Sequence, residues 1–117
     1  MEDTRTTNET TKETLVAGLN EDLAHEYQAI LMYNSYAAMV NGIHRPMLKG
    51  FFQAEIPEEL QHAQFLADKI TALGGTPTTQ PAPLKLVDDS HAMLEQALEA
   101  ETATIKRYVT RRKQAEA

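Results

Sequence analysis

Two residues able to bind a metal ion, a carboxylate and an imidazole, stand three positions apart at Glu59 and His62. Leu48, Phe52, Glu55, Glu59, His62, Leu66, Ile70 and Leu73 recur every three or four positions, the spacing of one face of a helix. Glu55, Glu59 and His62 therefore fall on the face expected to be buried. Residues three apart on a helix are neighbours, so an oxygen of Glu59 and a nitrogen of His62 can address one point in space. A carboxylate taken into an apolar interior must be neutralised by a proton or by a positive partner. A metal ion is the economical partner.

Two more carboxylates repeat this placement. Glu26 interrupts the stripe Leu15, Leu19, Leu23, Ile30, Tyr33, Ala37 and Val40, and Glu101 interrupts Val87, His91, Leu94, Leu98, Ile105 and Tyr108. The two segments share Glu, Ile and Tyr at offsets zero, four and seven: Glu26, Ile30, Tyr33 and Glu101, Ile105, Tyr108. Each tyrosine lies about 10 Å along the axis from its own glutamate, too far to share an ion with it. Tyr33 and Tyr108 are expected as hydrogen-bonding neighbours of the site; Glu55, one turn before Glu59, is either a further ligand or, the preferred reading, a carboxylate that accepts from a tyrosine and orients the ligands. His25, His44 and His91 are expected at the surface or rim, and Met32, Met39, Met47 and Met93 as packing residues.

The elements that must position these groups are all helical. Residues 1–11 carry no large apolar side chain and are expected to form a disordered tail. Apolar periodicity and stop signals place helices at about 12–41, 46–73 and 87–115, within one domain over 12–117. Asn41-Gly42 ends the first helix, Pro46 suits the start of the second, and Gly74-Gly75 ends it. So short a link between the first two helices requires an antiparallel hairpin. The ten residues Gly75–Leu84 include three prolines and span up to about 31 Å when extended. Such a strap returns the chain to the far end, so the third helix runs parallel to the second, with Asp88-Asp89 as its N-cap region. Pro57, inside the second helix, is expected to kink or widen it.

Composition narrows the chemistry. The chain has 117 residues, 42% hydrophobic and 24% charged, with a formal net charge of −6. That balance disfavours a nucleic-acid surface and suits a protein that attracts cations. With no cysteine, a metal must be held by carboxylate and imidazole, ligands for iron, manganese or zinc. No apolar run is long enough for a membrane span and Met1–Thr11 has no apolar leader region, so a cytoplasmic location is expected.

On Glu26, Glu59-x-x-His62, Glu101 and the Gly-Gly-Thr-Pro strap, the sequence resembles the ferritin-like superfamily and, within it, the bacterioferritin branch. The resemblance covers about Lys12 to Ala117 and implies an all-α ferritin-like bundle with a di-iron carboxylate centre. Glu26, Glu59, His62 and Glu101 would be metal ligands, and Glu26, Glu59 and His62 the catalytic set. The implied activity is that of a ferroxidase, in which iron ions are bound and Fe(II) is oxidised by O2 or H2O2 in storage or detoxification. Three features depart from the family: the chain ends where a fourth helix with a second Glu-x-x-His would begin, Pro57 sits beside the ligands, and Leu60 stands where haem-binding relatives carry methionine. Haem is therefore not expected. Three helices leave an apolar groove, so the bundle is expected to be completed by association as a homo-oligomer, a dimer at least. Two hairpins about a two-fold axis would supply Glu26, Glu59 and His62 twice. On the histidine count that arrangement is preferred over a site built by the three helices of one chain, and it leaves Glu101 unimportant. A truncated version of a longer protein, a rubrerythrin-like peroxide or oxygen reductase, and a metal-free helical interaction module are the alternatives.

Overall fold

The computed structural model describes residues 4–117, with side chains from Thr11 onward. Three helices follow in order: α1 (Thr4–Met39), α2 (Arg45–Ala72) and α3 (Ser90–Glu116). The expected tail falls partly on residues 1–3, outside the described residues. From Thr4 the backbone is already helical, eight positions before the expected start at Lys12. A helix nucleated further along can extend by one hydrogen bond per added residue.

The hairpin between α1 and α2 is closed by chemistry at its turn. Gly42 takes φ +88°, the left-handed region, which suits glycine after a helix end. Arg45 donates from Nη1 to the carbonyls of Ala38, at 3.1 Å, and Val40. A cation thus meets the exposed carbonyls and the negative dipole end of α1. Helix α2 runs unbroken through Pro57, whose ring lies on the exposed face. There the carbonyl one turn back, freed by the missing N–H, can turn to water.

At its other end α2 closes with paired bonds, Gly75 N–H to Ile70 O at 2.9 Å and Gly74 N–H to Thr71 O at 3.0 Å, with Gly74 at φ +87°. This is the Schellman arrangement. Gly75 also brings the chain against α1, since a Cβ there would stand 2.6 Å from Cγ1 of Val16. The strap then follows α1. Asn20 bonds Thr76 O and Thr78 N–H, Ala82 N–H donates to Ala24 O, and Gln28 donates to Pro83 O. Val87 N–H donates to the Tyr36 hydroxyl at 3.0 Å. From Asn20 to Tyr36 this covers about 24 Å of helix. Asp89 is the N-cap of α3, accepting from Ala92 N–H at 3.0 Å.

Helix α3 packs antiparallel on α1, and so parallel to α2, as expected. The order of contacts fixes the direction: Tyr36 meets Gln96, Tyr33 meets Glu101, Glu26 meets Tyr108 and Asp22 meets Arg111. Helix α1 is the centre, packed by both others, while α2 and α3 approach each other only through side chains. Two apolar clusters result. One gathers Met32, Tyr33, Tyr36, Val40, Phe52 and Met93, the other Leu19, Leu23, Ala63, Leu66 and Ile70. The buried Glu26 and Glu59 come between them in sequence on both α1 and α2.

The stripe expected to bury α3 is partly wrong. Leu98 is 68% and Ile105 64% exposed, whereas Met93, Ala97 and Arg111 are buried. A helix whose apolar face is wide enough for two neighbours here meets only one, so part of that face opens on a groove between α2 and α3. Met32 and Met93 fill the core as expected, while Met39 and Met47 are exposed.

Near the C-terminal end of α3, Arg111 reaches across to Asp22, which is 1% exposed, with Nε to Oδ2 at 2.8 Å and Nη2 to Oδ1 at 3.0 Å. Its guanidinium lies where a Cβ of Gly18 would be, so alanine at 18 must dislodge it. Breaking a buried pair from one side leaves an uncompensated charge. Arg111→Met should therefore lower stability by about 3 kcal/mol or more, and adding Asp22→Leu should recover much of it. Denaturant unfolding of the single and double variants checks this.

Candidate metal centre

Helix α1 supplies Glu26, α2 supplies Glu55, Glu59 and His62, and α3 supplies Glu101. Ligand atoms of Glu26, Glu59 and His62 lie within 4.8 Å of one another, and so do those of Glu55, Glu59 and Glu101. Glu59 belongs to both groups. All three expected carboxylates and the histidine are thus brought together within one chain, with Glu101 on the same carboxylate as Glu26.

His62 Nδ1 stands 3.7 Å from Glu26 Oε2 and 3.8 Å from Glu59 Oε2, beyond hydrogen-bond reach. Two ligands that each bind an ion at about 2.1 Å lie roughly 3–4 Å apart, so these gaps fit a shared cation. Glu26 provides the sharper indication. It is 2% exposed; one oxygen accepts from Tyr108, and the other, Oε2, faces His62 with no hydrogen-bond partner. A buried carboxylate oxygen without a partner is costly, and a cation would satisfy it. The donor set is oxygen and imidazole nitrogen, the set that suits iron, manganese or zinc.

Glu59 is 5% exposed, and its carboxyl is pushed up to about 9, first by burial and then by the neighbouring carboxylates of Glu26 and Glu101. Without metal it therefore holds a proton at neutral pH. The folded value exceeds the unfolded one, so the folded state binds more protons throughout the interval between them. Stability from this group is full below about pH 4.5 and is lost as pH rises toward about 9. Chelator-treated protein should show an unfolding midpoint that falls from about pH 5 to about pH 9, and metal uptake should release protons. Titrating the midpoint against pH checks the first statement.

The tyrosines exchange partners across the helices. Tyr33 on α1 donates to Glu101 Oε1 at 2.8 Å, and Tyr108 on α3 donates to Glu26 Oε1. On antiparallel helices with Glu and Tyr seven apart on each, pairing one tyrosine with the opposite glutamate pairs the other as well. Burial and these bonds raise both phenols well above their usual range. The expectation that Glu55 accepts from a tyrosine is not met by Tyr33, whose single hydroxyl proton goes to Glu101. Glu55 instead approaches Glu59 and Glu101, and its carboxyl is raised by burial and by the charges of Glu58 and Glu101.

His91 pairs with Glu95 at the surface, and His25 contacts Gln28. Asp22 and Arg111 escaped the sequence reading, yet they hold α3 to α1 one turn from Glu26 and Tyr108. The matching signal was an acid one turn before Glu26 and a base three residues after Tyr108. Among the described residues, no helix is long and apolar enough to cross a membrane.

Residues 16–117 match the ferritin-like domain family. No curated protein matches the chain. Among solved structures, the chain is similar to a ferritin-like, diiron-carboxylate protein from Bacillus anthracis str. Ames, at 54% identity and a TM-score of 0.88 over 91% of this chain and 76% of that one. It is also similar to the bacterioferritin-related protein of Bacteroides fragilis, a dodecameric thioferritin, at 29% identity and a TM-score of 0.77 over 86% of this chain and 66% of that one. The carboxylate-lined three-helix bundle and a family match from residue 16 to the last residue lead to one conclusion: the chain belongs to the ferritin-like family.

Proposed function

We propose that this protein binds Fe(II) at Glu26, Glu59, His62 and Glu101 and oxidises it with O2 or H2O2. The observation that carries this reading is the unpartnered, buried Oε2 of Glu26 facing His62 beside the shared carboxylate Glu59. Iron is the substrate, and each Fe(II) gives up one electron to the oxidant. Carboxylates serve this chemistry because they balance the rising charge of the metal and can bind through one oxygen or two. The Tyr33 and Tyr108 hydroxyls hold Glu101 and Glu26 in place by occupying one oxygen of each. His62, 50% exposed on its side chain, sits where the cluster meets the open groove and gives Fe(II) a way in.

Association is part of the proposal. Phe51, Phe65, Leu98 and Ile105 are all about half exposed or more, a patch that a second copy of this chain would cover. The dodecameric assembly of the Bacteroides fragilis protein supports the same reading. The test is anaerobic Fe(II) loading followed by O2 or H2O2, with Fe(III) formation read in the near ultraviolet and mass read in solution. Stoichiometric oxidation faster than in a protein-free control is expected. Oxidation no faster than the control overturns the activity.

A further inference from the structure

We infer that the cleft enclosed by α1, α3 and the strap binds a small organic anion, a carboxylate or phosphate head on a short apolar body, through Arg107 and Lys85. The inference stands apart from the metal centre and does not draw on it.

The cleft has a volume of about 260 Å³, and its walls come from α1, residues 83–85 of the strap and α3, with no residue of α2 among them. That is room for a small ligand. Arg107 supplies the charge. Its side chain is 18% exposed, and its Nε is enclosed with no hydrogen-bond partner. The acid it approaches, Asp22, has Oδ1 3.9 Å away, beyond hydrogen-bond reach, and both Asp22 oxygens already accept from Arg111 at 2.8 and 3.0 Å. Among the described residues the Arg107 guanidinium makes one hydrogen bond, from Nη2 to Thr104 Oγ1 at 2.9 Å. Arginine carries five N–H donors in a fork that matches the oxygens of a carboxylate or phosphate, so most of these donors are unused.

The other polar groups of the lining divide by what they already hold. Gln28 Nε2 donates to Pro83 O, which leaves its Oε1 to accept from His25 Nδ1, and Gln96 Nε2 donates to Lys85 O. These side chains are committed to fastening the strap. Lys85 is exposed and forms no ion pair among the described residues, so its ammonium is free to meet a ligand. Glu99, also exposed, is the one acid of the lining. Two cations against one acid make the cleft positive in a chain of net charge −6. Met32, Leu84 and Ala103 line the same space and give a short hydrocarbon body an apolar wall.

Calorimetric titration of the full chain, freed of metal and then dialysed free of chelator and phosphate, tests this at low salt with butyl phosphate, pentanoate and inorganic phosphate. Butyl phosphate or pentanoate should saturate one site per chain, and the tighter of the two identifies the head group. Inorganic phosphate should bind more weakly than butyl phosphate, for want of the apolar contact. Arg107→Gln should weaken binding by at least ~10-fold, as the loss of charge-assisted hydrogen bonds does. Lys85→Ala should weaken it by about 2- to 5-fold without touching the core, and Lys69→Ala, which removes a cation of α2 outside the cleft, should change nothing. Circular dichroism verifies the fold of Arg107→Gln, and Lys85→Ala decides alone where that variant does not fold. No saturable binding of either organic anion by the wild type up to ~10 mM overturns the proposal. Binding left unchanged by Lys85→Ala and by folded Arg107→Gln overturns it as well, and inorganic phosphate as tight as butyl phosphate overturns the apolar body.

Discussion

Replacing Glu59 by glutamine should abolish iron oxidation while leaving the bundle folded. Its carboxyl is common to both ligand groups, so one substitution removes a charged ligand from each. Loss of an outer partner of a metal ligand typically costs 10–100-fold in affinity. Loss of a shared ligand should exceed that, and metal affinity is expected to fall by more than ~100-fold. The effect on folding has the opposite sign. Near neutral pH the buried Glu59 keeps a proton that the unfolded chain gives up, which costs stability. Glutamine has nearly the same shape and carries no such proton, so apo Glu59→Gln should unfold at higher denaturant near pH 7 and lose most of the pH slope. The joint result, weaker metal binding with a more stable and less pH-sensitive apo protein, separates a metal ligand from a residue that merely supports the core. A variant that unfolds more easily and still oxidises iron at the wild-type rate contradicts the assignment.

The parts of this centre that were legible in the sequence are those set by helical period. Glu26, Glu59, His62 and Glu101 each interrupt an apolar stripe, and in the structure their ligand atoms converge. The strap was legible because prolines and Gly-Gly fix both its stiffness and its start. Pairwise relations between helices were less legible. The pairing of Asp22 with Arg111 was not legible, since nothing in one helix reveals that the other presents its complement at the same level. Leu98 and Ile105 read as core because period identifies an apolar face but not how many neighbours will cover it. The exchange of Tyr33 and Tyr108 between Glu101 and Glu26 was implicit in the equal spacing of seven, once the helices were taken as antiparallel. The partner of Tyr33 was hidden for a related reason: spacing placed Glu55 one turn from Glu59 but did not reveal that the tyrosine would donate to Glu101.

Glu26→Gln and Glu101→Gln should both end iron oxidation, which decides between two ways of building the centre. If two hairpins supplied it, Glu26, Glu59 and His62 would come twice and Glu101 would be dispensable, as the histidine count alone suggested. In the structure Glu101 instead shares the 4.8 Å neighbourhood of Glu59 from the same chain, held there by Tyr33. Glutamine is the informative substitute because it keeps an oxygen for the tyrosine while removing the charge. Alanine would also strand a buried hydroxyl, at about 1–3 kcal/mol, and confuse folding with binding. Each glutamine variant should lose one ion of the pair, Glu26→Gln the one beside His62 and Glu101→Gln the other. Single-turnover Fe(II) oxidation should fall at least ~100-fold in both, with unfolding midpoints in chelator no lower than that of the wild type. Glu101→Gln with wild-type oxidation and two bound ions would exclude the three-helix centre and restore the paired hairpins. Equal losses in both variants leave the paired hairpins no role in holding metal, and confine association to covering the groove between α2 and α3.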